Sequence, residues 1–225
     1  MASESLGGVR SLATFVEAGG IRVLIDPGVA LGPKRYGLPP AGVELETLRR
    51  MRRKLQGYAR RADVVTVSHY HYDHHTPFFE GLYESSSEEF AREIYAGKLL
   101  FVKHPRENIN FSQRKRAWAF LKRAGPIARG GIEFADGRSF DLGGVTLEAS
   151  PAVPHGREGS KLGFVVMVLI DDGSRRLIHA SDIQLLNRRS VEWIIDKVPD
   201  VLITGGRRPT SARGPRGAGR PGSKT

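Results

Sequence analysis

Between residues 44 and 62, Leu45, Leu48, Met51, Leu55, Tyr58 and Ala62 recur at helical spacing, with Arg49, Arg50, Arg52, Arg53 and Lys54 largely opposite. That pattern predicts an amphipathic helix. Upstream, residues 12–28 (LATFVEAGGIRVLIDPG) hold two β-rich runs around Gly19-Gly20. Paired glycines supply the positive φ of a tight hairpin, and Asp26-Pro27-Gly28 closes the second run in a turn. Residues 63–68 (DVVTVS) read as a short buried strand. Further strands are predicted at 99–102, 132–134, 139–142, 145–149, 164–170, 176–179 and 200–204. Helices are predicted at 88–96, from a Ser112 cap to about 124, and at 190–198. Mixed helices and strands in this order predict α/β layers around two packed sheets.

After Gly205 the periodicity stops. Residues 205–225 contain six basic residues and no acidic one, in a Gly/Pro/Arg-rich context that predicts a disordered tail. The domain is therefore expected over 1–204. The formal charge of +11 owes much to that tail, because the remainder holds 29 basic against 24 acidic residues. No apolar run approaches the ~20 residues of a membrane span, and MASESLGG lacks the basic and apolar regions of a secretory signal. A cytoplasmic protein with no membrane partner is expected. With no cysteine in the chain, any metal must be held by nitrogen and oxygen.

Four of the seven histidines fall between His69 and His75, in TVSHYHYDHHTP. In an extended segment His69 and His71 point the same way, and Asp73 and His74 follow as the chain turns, with Asp73 placed to start a helix. One loop then offers three imidazoles and a carboxylate to one small volume, the donor set of a catalytic zinc site. His75 is expected to support the site or a helix start rather than to ligate. Asp26 suits either a turn or the orienting of a metal-bound imidazole. His179 is expected to pack or to bond the backbone, and His104 to be exposed. Residues 98–123 carry eight basic residues and one acidic, with Phe101, Phe111, Trp118 and Phe120 interleaved. That stretch suits either phosphate or nucleic-acid steering or a solvated helix face over core aromatics. Arg157 and Lys161, near His155 in sequence, are candidates for substrate binding.

His69-Tyr70-His71-Tyr72-Asp73-His74 resembles the HxHxDH signature of the metallo-β-lactamase superfamily. The hairpin ending in Leu24-Ile25-Asp26-Pro27-Gly28, His155 in VPHGREGSKLG and Asp182 in IHASD resemble its other landmarks in order. The longer stretches SHYHYDHHTP, ASESLGGVRSLATF and PGVALGPKRYGLPP are similar to a small archaeal branch of that superfamily. The resemblance runs from about Ala2 to Gly206. It implies a four-layer αββα sandwich and a metal-dependent hydrolase in which a metal-bound hydroxide attacks an ester-like or phosphodiester substrate. Lactone, thioester and amide substrates stay open. It further implies one metal on His69, His71 and His155, and a second on Asp73 and His74, with Asp182 bridging and Asp73 also moving a proton. Zinc is the expected ion, one or two per chain, with Mn2+ or Fe2+ as alternatives.

The superfamily normally supplies a late histidine to the second metal, and no histidine follows His179 here. A truncation or frameshift near Gly205/Gly206 is therefore expected, with the sandwich lacking its last strand and helix and the second site binding more weakly. A competing expectation is a catalytically impaired metal- or nucleic-acid-binding protein using the basic tail.

Overall fold

Side-chain alternation along the strands decides the layers. In β2 (Ile21–Ile25), Val23 and Ile25 enter one apolar cluster while Leu24 enters another. The computed structural model describes residues 9–32, 35 and 37–205; the chain start, Pro33, Lys34, Tyr36 and the tail from Gly206 lie outside the described residues. β1 (Thr14–Ala18) pairs antiparallel with β2 through Gly19 and Gly20, at φ 52° and 85°. Then β3 (Val64–Val67), β4 (Leu99–Val102) and β5 (Ile132–Phe134) add in parallel, giving the order β1-β2-β3-β4-β5.

The second sheet runs β12 (Val201–Ile203), β11 (Arg176–His179), β10 (Val168–Asp171), β7 (Thr146–Ala149) and β6 (Ser139–Asp141). Between the sheets, Val23, Ile25, Val64 and Phe101 meet Val145, Leu147, Val168 and Ile170. Outside the first sheet lie α1 (Gly42–Ala59), α2 (Glu88–Tyr95) and α3 (Phe111–Ala124), burying Leu48, Met51, Leu55, Phe90, Ile94 and Phe120 against Leu24, Val65, Val67 and Leu100. Outside the second, α4 (Arg188–Lys197) packs Ile194 and Trp193 on Leu169 and Ile178. The layers are thus α, β, β, α, as expected. No helix among the described residues is long and apolar enough to cross a membrane.

Several local expectations are corrected. Asn110, not Ser112, caps α3: its Oδ1 accepts from the Gln113 amide at 2.8 Å, while Ser112 lies inside the first turn. The apolar run 164–170 is not one strand. β9 (Phe164–Val165) pairs with β8 (Val153–Pro154), whereas β10 pairs with β7; in between, the Val166 amide donates to the Ser68 carbonyl at 3.0 Å. A uniformly apolar run carries no mark where the backbone changes partner. Nor does Asp73 begin a helix, because residues 72–74 form only a turn and the next helix is α2.

Gly28 fixes the height of that turn. A Cβ there would sit 2.5 Å from the Asp73 carbonyl carbon and 2.6 Å from the His74 and His75 amide nitrogens. Backbone on one side cannot rotate away, so Gly28→Ala must push the histidine loop outward. The expected result is a loss of roughly 1–3 kcal/mol, read as a lower melting temperature in scanning calorimetry of the metal-free chain. An unchanged melting temperature would show the loop to be freely displaceable.

Candidate metal centre

Each candidate ligand follows the C-terminal end of a strand: Asp26 after β2, the histidine loop after β3, His155 after β8 and Asp182 after β11. The two five-stranded sheets and the separate β8–β9 pair bring these ends together. One donor atom each from His69, His71 and His155 lies within 4.8 Å of the others, as do donors from Asp73, His74 and Asp182. Ring centroids of His69 stand 4.6 Å from His71 and 5.1 Å from His155. Asp182 spans the two groups: its Oδ2 lies 3.3 Å from His74 Nε2 and 3.3 Å from His155 Nε2.

Donor atoms of Asp26, His69 and His74 also lie within 4.8 Å of one another, but the Asp26 carboxylate is already engaged. It accepts from the Ser68 amide at 2.7 Å, Ser68 Oγ at 2.6 Å, His74 Nδ1 at 2.9 Å and Ser181 Oγ at 3.0 Å. Its geometry is that of a group orienting His74 rather than a ligand. Asp26 and Ser181 hold left-handed backbone at φ 49°, which is uncommon for residues with a side chain.

Ser68 does for His69 what Asp26 does for His74. The Ser68 hydroxyl proton goes to Asp26, so at the 3.0 Å contact the His69 Nδ1–H donates to Ser68 Oγ. Nε2 of His69 is then a lone pair, fully buried and without a hydrogen-bond partner. A buried acceptor without a partner costs about 1–3 kcal/mol, and a cation at the imidazole cluster would remove that cost. Burial, reinforced by the neighbouring imidazoles, pushes His69 well below the ordinary histidine range and His71 to about 3, so both rings are neutral. His74 is the opposite. Burial would lower it, but Asp182, Asp26 and Asp73 outweigh that and hold it well above its ordinary value. In the metal-free chain a proton on His74 supplies the positive charge that these carboxylates demand. Burial would raise Asp182, yet His74 and His155 hold it well below the usual carboxylate range. The residues fit a divalent cation bound through nitrogen and oxygen.

His75 is buried apart from the donor groups. Its Nδ1–H donates to the His71 carbonyl at 3.0 Å, and its ring packs against Tyr70, Tyr72 and Phe120. Burial lowers it to about 4. Between pH 4 and 6.5 the unfolded chain protonates this ring while the folded chain does not, so stability falls as pH drops through that window. Chemical denaturation of metal-free protein should show a loss between pH 7 and 4 to which His75 contributes about 3 kcal/mol, so His75→Gln should reduce it by about that much. An identical pH dependence in His75→Gln would exclude it.

A cavity of about 680 Å³ opens on the donors, lined by His71, Asp73 and His155 together with Arg10, Glu84 and Arg116. Arg157 and Lys161 do not line it. Both are exposed, and the Lys161 backbone carbonyl accepts from Asn110. The cations at the mouth are instead Arg10, whose guanidinium lies 2.8 Å from Asp73 Oδ2, and Arg116. The basic stretch 98–123 is not one patch. Lys103 is buried on Asp136, Lys98 bonds the Glu93 carbonyl, and Arg123 pairs with Glu88. Its aromatics also divide: Phe101 and Phe120 are core, while Phe111 and Trp118 are exposed. His104 is half-buried rather than exposed, its Nδ1 accepting from the Arg106 and Glu107 amides. His179 is fully buried and donates from Nε2 to the Leu12 carbonyl at 2.9 Å.

Sequence reasoning missed Ser68, Ser181 and Arg10. Ser68 and Ser181 each immediately precede a candidate ligand, His69 and Asp182, and could have been found from that adjacency, but Arg10 meets the site only through tertiary contacts.

A family model described as "Beta-lactamase superfamily domain" matches residues 21–214. A UPF0282 protein of Thermococcus gammatolerans is 86% identical over 206 residues, covering 92% of this chain and 68% of that protein. A UPF0282 protein of Methanocaldococcus jannaschii is 47% identical over 207 residues, covering 92% of this chain and 70% of its own length. Among solved structures, an isothiocyanate hydrolase from Delia radicum gut bacteria superposes with a TM-score of 0.50 at 15% identity, covering 87% of this chain and 68% of that one.

Proposed function

This chain belongs to the Beta-lactamase superfamily domain family and to the archaeal UPF0282 proteins, and on that premise we propose that it is a metal-dependent hydrolase of anionic esters, with a phosphodiester preferred. The observation that carries this is the buried Nε2 of His69, without a partner, on a ring that shares a donor cluster within 4.8 Å with His71 and His155. His69, His71 and His155 would hold one metal, and Asp73, His74 and Asp182 would hold a second. Zinc suits this neutral-imidazole and carboxylate set, and Mn2+ or Fe2+ share its ligand preferences. When bound, such an ion supplies Lewis acidity to the scissile centre and activates water.

The protein's own residues do the rest. Ser68 and Asp26 fix the tautomers and tilt of His69 and His74. Arg10 and Arg116, both lining the mouth cavity, attract and orient the substrate's anionic oxygens. Asp73, held by Arg10 at 2.8 Å, would accept a proton from the attacking water and pass it to the leaving oxygen. Arg116, which has no carboxylate partner among the described residues, favours the phosphodiester over neutral lactones, thioesters or amides, because a formal negative charge on the ground-state substrate gives it one. The test is turnover by the full chain of bis-p-nitrophenyl phosphate, p-nitrophenyl acetate and a γ-lactone, with added zinc or manganese and with chelator. Chelator-sensitive cleavage that favours the phosphodiester is expected. Chelator-resistant cleavage, or cleavage of none of the three, would contradict the assignment.

A further inference from the structure

Beside the mouth cavity lies a second one of about 330 Å³, formed by His75, Phe78, Phe79, Ala119 and Phe120 between the histidine loop and α3. Its lining is mostly apolar carbon. Tyr72 and Arg116 line both cavities. The Tyr72 ring meets Phe79 edge-on at 5.3 Å, and the Arg116 guanidinium lies over the Tyr72 ring at 4.5 Å. These two side chains form the partition.

Arg116 donates to the Tyr70 carbonyl at 3.3 Å and has no carboxylate partner among the described residues. The cations around it are committed: Arg10 to Asp73, and Arg123, also in the apolar cavity's lining, to Glu88. Arg116 therefore presents an uncompensated charge at the boundary between a polar, donor-rich cavity and an apolar one. The volume of the latter falls at the low end of the roughly 300–1,000 Å³ typical of ligand pockets, enough for one arm of a substrate.

We propose that the Phe78/Phe79/Phe120 cavity is a subsite for an apolar aryl arm of an anionic ester, with Arg116 holding the ester's negative charge at the partition while the reacting centre faces His71, Asp73 and His155. This rests on the hydrolase assignment for the reaction but not for the binding. An aryl group entering the cavity exchanges water for ring faces and edges, and an Arg116 that needs a counter-charge fixes which end enters.

Phenyl phosphate and methyl phosphate serve as probes, because they share the anion and differ in the arm. Isothermal titration of the metal-loaded full chain should give at least about tenfold tighter binding of phenyl phosphate. Ala119 is exposed on α3 while lining the cavity, so Ala119→Phe should fill it without emptying the core, and cut that preference to about twofold. Phe79, 43% exposed, gives an independent variant: Phe79→Ala should lower the preference by removing one wall. Arg116→Ala should weaken both probes alike.

Equal affinities in the natural chain, or a phenyl preference that survives both Ala119→Phe and Phe79→Ala, would overturn the subsite. The two assignments separate cleanly. A phenyl preference lost in the variants, with no ester hydrolysed, upholds the subsite and removes the hydrolase; hydrolysis without a phenyl preference does the reverse.

Discussion

His69→Ala and His71→Ala are each expected to lower phosphodiester turnover by more than the ~10–100-fold that follows loss of a group merely supporting a metal ligand, and to shrink the rise in melting temperature on adding zinc to what the Asp73, His74 and Asp182 group supplies. Both consequences follow from geometry. The three imidazoles converge from two distant stretches, and their donors lie within 4.8 Å of one another. Removing one leaves two nitrogens, too few to compete with water for a cation. The thermal readout isolates binding from chemistry, because a cation that binds only the folded chain stabilises it by mass action. The metal-free variants provide a second check. His69 carries a buried acceptor without a partner, so its removal deletes a polar liability along with packing volume, and the metal-free variant should unfold close to the natural chain. Turnover and zinc-induced stabilisation both retained in either variant would remove that histidine from the ligand set.

Asp26→Ala is expected to cost the most stability, about 3–5 kcal/mol. Asp26 is fully buried and accepts four hydrogen bonds, from the Ser68 amide and hydroxyl, the Ser181 hydroxyl and His74 Nδ1. Burial would raise its carboxyl, but the His74 ring, both as hydrogen-bond donor and as charge, holds it below the usual range. Truncation strands those four donors and leaves His74 with its proton but without this partner. Asp26→Asn keeps the volume and removes the charge. It should fold with a smaller loss and weaken metal binding about 10–100-fold through misoriented His74. Urea denaturation of the metal-free chains and zinc titration separate the two effects. If Asp26→Asn binds zinc as tightly as the natural chain, Asp26 is only a turn residue.

Much of this arrangement is legible in the sequence alone. The hairpin was announced by Gly19-Gly20, and α1 by apolar residues at three- and four-residue intervals, because both signals are local. The HxHxDH spacing named the ligand-bearing loop for the same reason. What escaped was tertiary. The break at Val166 and Met167 is invisible in a continuous apolar run, since both halves favour extended backbone and only the partner strands differ. Asn110 and Ser112 are both competent caps, and the choice depends on where the backbone enters the helix. Proximity to His155 along the chain points to Arg157 and Lys161, yet both are exposed and absent from the mouth cavity's lining, while Arg10 and Arg116 arrive there from remote segments. The basic stretch 98–123 read as one patch because sequence does not reveal that Lys103 is buried on Asp136 or that Arg123 meets Glu88.

The most direct test is the metal content of the purified full chain by elemental analysis, after growth with zinc and manganese and removal of loosely held ions. About one or two divalent ions per chain are predicted, falling by about one when His69 and His71 are both replaced by alanine. A chain that carries none, and whose melting temperature does not move when zinc is added, would contradict the metal centre and the hydrolase built upon it.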